Sequence, residues 1–299
     1  MHRTVAFGLR WDSDIPLHQF EAAARDGVPA DVIVRQMHAP LRPRQAVVAI
    51  DNAELCTDGV RYRAGNEVTF DTIGADLVEW MAGEAWAGTV PEVFFSTVTA
   101  LVLAWRGCVP VHGSAVEIDG KAVLICGEAG AGKSTLAAGL IALGARLISD
   151  DLSVLHPQGP HERPVLYAGR SATRLFPEVA RFLKDAIAAC EFRAVANDKC
   201  IVLPPRVAPL IPIPLAVMIV LGREPTPTAP SQRAALLHAQ LFRPRWMRSV
   251  PGNTERSAAI QDAARDLRVV AMLSADIRDA GPFMSRATMT LKEVRESLD

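Results

Sequence analysis

Apolar positions run without a polar break through the middle of the chain. Lys121-Ala122-Val123-Leu124-Ile125-Cys126 reads as a strand buried on both faces, and residues 134–143 read as a helix closed by Gly144. Ala145-Arg146-Leu147-Ile148-Ser149 then returns as a strand ending at Asp150 and Asp151. Upstream, residues 109–118 form a strand joined to 120–125 by an Asp119-Gly120 hairpin turn. Nearer the N-terminus the apolar stretches are short and alternate: Val47-Val48-Ala49-Ile50, Val60-Arg61-Tyr62-Arg63 and Glu67-Val68-Thr69-Phe70. With turns at Asp58-Gly59 and Gly65-Asn66, they predict a small antiparallel sheet.

Helices are predicted over 18–25, closed by Gly27, over 76–81, and from Pro91 to a stop at Gly107; Val32-Ile33-Val34 is a strand. Downstream, helices are expected from Pro177 to about Ala189 and over 236–241, 257–266 and 291–298, with strands over 199–203, 215–221 and 267–273. Prolines break the 204–230 region into connectors, and 224–231 reads as a mobile loop. The fold class is therefore α/β: a core over 108–299, preceded by a smaller α+β accessory or recognition unit over 1–107.

Composition narrows the function classes. The 299 residues are 49% hydrophobic with a formal net charge of −1 and no long basic run, which leaves no footprint for nucleic acid or an anionic membrane. Five scattered cysteines lack paired metal-ligand spacing and suit a reducing compartment. Asp12 and Asp14 stand where a signal peptide would need apolar residues. The longest apolar run, near 93–105, is too short to span a bilayer, so a soluble cytoplasmic protein is expected.

The chemistry concentrates in Gly127-Glu128-Ala129-Gly130-Ala131-Gly132-Lys133-Ser134, with Thr135 following in the first helical turn. Two glycines four residues apart, then Lys and Ser, between a buried strand and a helix, describe a phosphate-binding loop. Backbone N–H groups and the helix N-terminus attract phosphate, Lys133 adds a point charge for β/γ-phosphates, and Ser134 offers a hydroxyl to Mg²⁺. Carboxylates at the end of the neighbouring strand are where a nucleotide's Mg²⁺ is held, so of Asp150 and Asp151 one serves the metal and the other is available as a base. Cys126 reads as core. Lys199, in Asn197-Asp198-Lys199-Cys200, is either a substrate or phosphate contact or a solvated lysine at a strand start.

His112, the loop at Lys133 and the acidic pair Asp150-Asp151, with their short spacing, resemble the catalytic core of the HPr serine kinase/phosphorylase family. Within it the chain is most similar to HPr-kinase-related peptide kinases encoded beside ribosomally made peptides, including lasso-peptide clusters. Arg170-Ser171-Ala172-Thr173-Arg174-Leu175-Phe176-Pro177 and the stretch 214–221 resemble their C-terminal part. The likeness covers about 108–280; the first hundred residues share only a general plan with these kinases and differ from the N-terminal domain of true HPr kinases. It implies ATP, or GTP, as phosphoryl donor with Mg²⁺, and a serine of a small protein or precursor peptide as acceptor. A homo-oligomer remains open.

By position it implies Asp150 as proton acceptor, Asp151 as metal ligand with Ser134, and His112 as a group orienting Asp150. Since such transfer is mostly positioning and charge neutralisation, Arg170 or Arg174 would neutralise charge on the transferred group. Glu128 departs from the family pattern and must point outward to avoid phosphate, and the phosphorolysis signature is not recognisable. The alternatives are a small-molecule kinase and an interaction protein gated by nucleotide without transfer.

Overall fold

The computed structural model describes residues 1–299 apart from 25, 84–89, 160–161, 187–190, 197–198, 205, 223–225, 273–279 and 299. Its N-terminal strands are β1 (His2–Ala6), β2 (Leu9–Ser13), β3 (Glu21–Ala22), β4 (Val32–Gln36), β5 (Ala46–Ile50), β6 (Ala53–Cys56), β7 (Gly59–Ala64), β8 (Val68–Ile73) and β9 (Leu77–Ala82). Among the described residues these nine form one sheet in the order β3-β1-β2-β4-β9-β8-β7-β6-β5. A single 3-10 turn, Glu92–Phe95, leads into helix α1 (Thr97–Trp105), which is buried nearly all round and so is apolar on every face. Trp11, Phe20, Phe70, Trp80, Phe94 and Phe95 form an aromatic core beneath it, and Leu152, Val154 and Trp246 join that core from later in the chain.

Next come β10 (Val109–Val111), β11 (Ser114–Ile118), β12 (Lys121–Gly127), helix α2 (Lys133–Ala142), β13 (Arg146–Ser149), β14 (Ser153–Leu155), β15 (Val165–Leu166) and β16 (Thr173–Leu175). Helix α3 (Pro177–Ala186), β17 (Glu191–Ala196), β18 (Lys199–Leu203), β19 (Ile213–Leu221), α4 (Pro230–Ala239), α5 (Pro244–Ser249), α6 (Asn253–Asp266), β20 (Arg268–Met272) and α7 (Ala280–Leu298) complete the order. The second sheet runs β13-β11-β12-β19-β15, with β20 also paired to β19. β12, β19 and β20 are parallel neighbours, which explains why β12 is apolar on both faces. Helices α2 and α7 cover one face of this sheet, and α4 and α6 the other. The chain is a mixed α/β fold, and no helix among its described residues is long and apolar enough to cross a membrane.

Several elements differ from the expectation. Residues 18–24 are a turn and the short β3, not a helix: Phe20 packs edge-on against Phe7 and Phe95, and burying that ring outweighs the weak helical tendency of so short a segment. Arg25 lies outside the described residues. Residues 77–82 are β9 rather than a helix, since Val78 and Trp80 alternate inward with Leu77, Glu79 and Met81 outward. The 109–118 run breaks at His112-Gly113, because β10 leaves to pair with β14 while β11 joins the main sheet. β1, β2, β6, β14, β15, β16, β17 and α5 went unpredicted, and α7 begins earlier than expected. The ends of the predicted helix at 187–189, of the predicted strand at 273 and of the predicted loop at 224–225 lie outside the described residues, as do Asn197 and Asp198; Pro230 already starts α4.

Candidate functional site

The phosphate loop leaves β12 at Gly127 and ends at Lys133, the first residue of α2. Gly127 has φ +148°, and a Cβ there would lie 2.8 Å from the Leu221 carbonyl oxygen, so only glycine lets β12 run this close to β19. Gly130 and Gly132 also sit at positive φ, +81° and +97°. Glu128 is exposed, as its charge requires, and its carbonyl accepts from Ala131 N at 3.1 Å. Ala129 is exposed, Ala131 half-buried and Thr135 buried. Lys133 is buried, and its Nζ donates to the carbonyls of Gly127 at 2.9 Å and Glu128 at 3.0 Å. Burial lowers its pKa, and two of its three donors are used on the loop itself.

Asp150, at the end of β13, is 1% exposed and accepts four hydrogen bonds. Ser114 Oγ and Ser134 Oγ donate to Oδ1 at 2.5 and 2.8 Å, and Thr173 Oγ1 and Arg174 N donate to Oδ2 at 2.8 and 3.0 Å. Burial alone would raise its pKa, but these donors prevail and hold the carboxyl below its ordinary range. Donating its hydrogen to Asp150 leaves Ser134 Oγ with lone pairs for a cation.

Asp151 follows at φ +70°, a left-handed conformation that turns it away from the carboxylate before it. Its side chain is partly exposed and meets an Arg174 terminal nitrogen at 3.1 Å and His112 Nδ1 at 3.7 Å. His112 Nδ1 also lies 3.1 Å from the Asp151 carbonyl. A carbonyl only accepts, so Nδ1 carries the hydrogen and Nε2 keeps its lone pair. Burial, with repulsion from Lys133, lowers the His112 pKa despite the two carboxylates. The ring packs edge-on against Phe242 at 6.1 Å.

The predicted residues therefore divide. His112, Lys133, Ser134, Asp150, Asp151 and Arg174 converge at the end of β12 and β13. Arg170 is fully buried, its guanidinium bonded to Gln19 Oε1 and to Glu92 Oε2 at 2.6 Å, while Asp150 and Asp151 lie close enough to act on its charge. Lys199 Nζ lies over the Phe176 ring, 4.8 Å from its centre. Sequence reasoning missed Ser114, Thr173 and Gln240. Gln240 accepts from Gly127 N through Oε1 at 3.2 Å and from His112 N through its carbonyl at 2.8 Å. Ser114 lies two residues after His112 and Thr173 one before Arg174, so proximity to named candidates was a usable signal; Gln240 offered none.

Among the described residues no three His, Cys, Asp or Glu side chains gather into a metal cage. A nucleotide-borne Mg²⁺ does not require one, because it keeps waters and phosphate oxygens and takes one or two protein ligands. The Ser134 hydroxyl beside two carboxylates fits that demand.

Residues 107–172 match the family model described as the HPr Serine kinase C-terminal domain. The chain is similar to an HPr kinase/phosphorylase of Lactobacillus delbrueckii subsp. bulgaricus, 28% identical over 166 residues, 56% of this chain and 43% of that protein. With an HPr kinase/phosphorylase of Chlorobium phaeobacteroides it shares 33% identity over 91 residues, 30% of this chain and 26% of the other. The chain thus spans less than half the length of these curated relatives. The structure of the Hpr(Ser) kinase/phosphatase from Coxiella burnetii aligns with 41% of this chain and 71% of its own, at 23% identity and a TM-score of 0.27.

Proposed function

We propose, from the premise that residues 107–172 are an HPr-kinase-like segment, that this chain transfers the γ-phosphoryl group of ATP to a serine hydroxyl of a small protein or ribosomally made precursor peptide. The observation that carries the reading is the contrast between the paired carboxylates beside the phosphate loop: Asp150 is saturated by four donors, whereas Asp151 is partly exposed and faces a histidine and an arginine. A carboxylate whose lone pairs are taken is a poor proton acceptor, so we assign that role to Asp151 rather than Asp150. Asp150 instead fixes Ser134, whose oxygen would hold the nucleotide's Mg²⁺.

When bound, Mg-ATP would supply the phosphoryl group and neutralise part of its charge. Lys133, already buried against the loop carbonyls, keeps a donor for a phosphate oxygen. The Arg174 guanidinium holds the Asp151 carboxylate in place and brings a positive charge close to the reacting centre. His112 donates to the Asp151 carbonyl and so fixes the turn that carries the base. Such transfer depends on positioning and charge neutralisation, and these groups meet both needs. Residues 1–107 would form the acceptor-recognition unit and 108–299 the kinase unit.

The test is intact-mass analysis of a candidate serine-containing precursor peptide, and separately of an HPr-type protein, incubated with Mg-ATP and the wild type, Asp151→Asn or Asp150→Asn. Addition of one phosphate by the wild type and none by Asp151→Asn, which still binds Mg-ATP, supports the reading. Full activity of Asp151→Asn removes Asp151 as base, and tight Mg-ATP binding with no transfer to any serine acceptor removes the kinase reading.

A further inference from the structure

We infer that Glu92, Arg170 and Gln19 act as one positioning unit, through which the N-terminal region sets the geometry of the Asp150-Asp151 pair; the inference rests on the phosphotransfer proposed above.

The segment 168–174 is a strap between two parts of the molecule, and its hydrogen bonds alternate between them. Phe7 N donates to Ala168 O at 2.7 Å, and Ser171 donates twice to Gln19 O, from N at 2.9 Å and from Oγ at 3.0 Å. Toward the other side, Gly169 N donates to Ile148 O at 2.7 Å and Arg170 N to Ser149 Oγ at 3.2 Å. Two residues further on, Thr173 Oγ1 and Arg174 N hold Asp150, and the Arg174 guanidinium holds Asp151. The strap that fixes both carboxylates is thus itself fixed by residues 7 and 19.

At its centre three side chains close a triangle. Arg170 Nε donates to Gln19 Oε1, an Arg170 terminal nitrogen donates to Glu92 Oε2 at 2.6 Å, and Gln19 Nε2 donates to Glu92 Oε1. His18 Nε2 lies 3.9 Å from the same Glu92 carboxylate. Arg170 is 1% exposed, and its partners Gln19 and Glu92 stand one and two residues before Phe20 and Phe94 of the aromatic core. Apolar side chains at such a place would stabilise the fold at least as well, and a buried ion pair is better suited to fixing one register than to adding stability. The register at stake is that of Thr173 and Arg174 on the carboxylates, where a slip of about 1 Å lowers transfer by about a hundredfold.

Glu92→Gln tests the idea, because Glu92 is the partly exposed corner of the triangle and the change keeps its shape. Hydrogen exchange is followed across 171–175 and, as control, across β12, alongside Mg-ATP affinity and the kcat of transfer. The expected result is exchange about tenfold faster at Arg174, with β12 protection and Mg-ATP affinity within about twofold of wild type and kcat down about tenfold to a hundredfold. The double variant Glu92→Gln with Arg170→Gln removes the uncompensated cation; it should recover global stability without recovering protection at Arg174. Unchanged protection at Arg174, or protection lost there only in step with β12, overturns the inference. Should the wild type phosphorylate no acceptor, the kinase reading fails while the exchange data still decide whether the triangle holds the strap.

Discussion

Asp150→Ala would take away the one acceptor shared by Ser114, Ser134, Thr173 and the Arg174 amide. The Ser134 hydroxyl, at the open side of the site, can turn to water. The Arg174 amide and the buried Ser114 and Thr173 hydroxyls lose their partner, and each unmet buried donor costs about 1–3 kcal/mol. Allowing for a water entering the gap, the loss is about 4 kcal/mol, a large part of the ~5–15 kcal/mol that holds a typical domain. Asp150→Asn behaves differently. With its oxygen toward Thr173 and Arg174 and its amide toward the rotatable Ser114 and Ser134 hydroxyls, all four contacts survive as neutral hydrogen bonds. Each weakens by about 1 kcal/mol, and relief from burying a carboxylate, worth several kcal/mol, offsets most of that, leaving a net cost of about 0–2 kcal/mol. Urea unfolding monitored by tryptophan fluorescence, with the slope checked for constancy, measures both. pH supplies a second arm. The donors hold the Asp150 pKa below its unfolded value in spite of burial, so the advantage of wild type over Asn is complete above about pH 4 and disappears as pH falls through the folded value. An alanine variant no less stable than the asparagine one, or a gap that widens below about pH 4, would refute the reasoning.

Lys133→Ala should weaken Mg-ATP binding by a hundredfold or more while leaving the fold intact, as calorimetry and circular dichroism would report; about 3 kcal/mol is the worth of one charge-assisted contact to phosphate. Gly127→Ala forces a side chain against the Leu221 carbonyl at positive φ and should lower the melting temperature by several degrees, measured by calorimetric scanning. His156, half-buried with its Nε2 sheltered from solvent and unpartnered, has its pKa pushed down to about 4 by desolvation of the ring. Because the folded value is the lower one, the neutral ring's stability is complete above about pH 6.5 and is lost as pH falls to about 4, a decline of about 3 kcal/mol. His156→Phe should lack that segment of the acid limb in a stability-versus-pH series.

What could be read from the sequence was local. The phosphate loop, its strand and helix, and the acidic pair lie within one short stretch, and glycine spacing together with an unbroken apolar run specifies them. The strand β9 was misread because six residues containing Leu77, Val78 and Met81 satisfy a helical stripe almost as well as an alternation, and only the inward Trp80 settles which. Arg170 reads from the sequence either as a charge-neutralising clamp or as a surface salt-bridge partner; its burial against Gln19, 151 positions earlier, has no trace in local pattern. The partition of roles between Asp150 and Asp151 likewise depends on which carboxylate collects donors from Ser114 and Thr173, and adjacent identical residues carry no sign of that.

Gln240 has a consequence for how such a chain can drift in evolution. One residue just past the end of α4 holds the first amide of the phosphate loop with its side chain and the amide of His112 with its backbone. An insertion or deletion among the prolines ahead of α4 moves neither contact if the helix keeps its seat. The same change within 239–242 would displace both at once. Lineages descended from this sequence are therefore free to vary the length of the connector before Pro230, and should preserve the count of residues between α4 and Phe242.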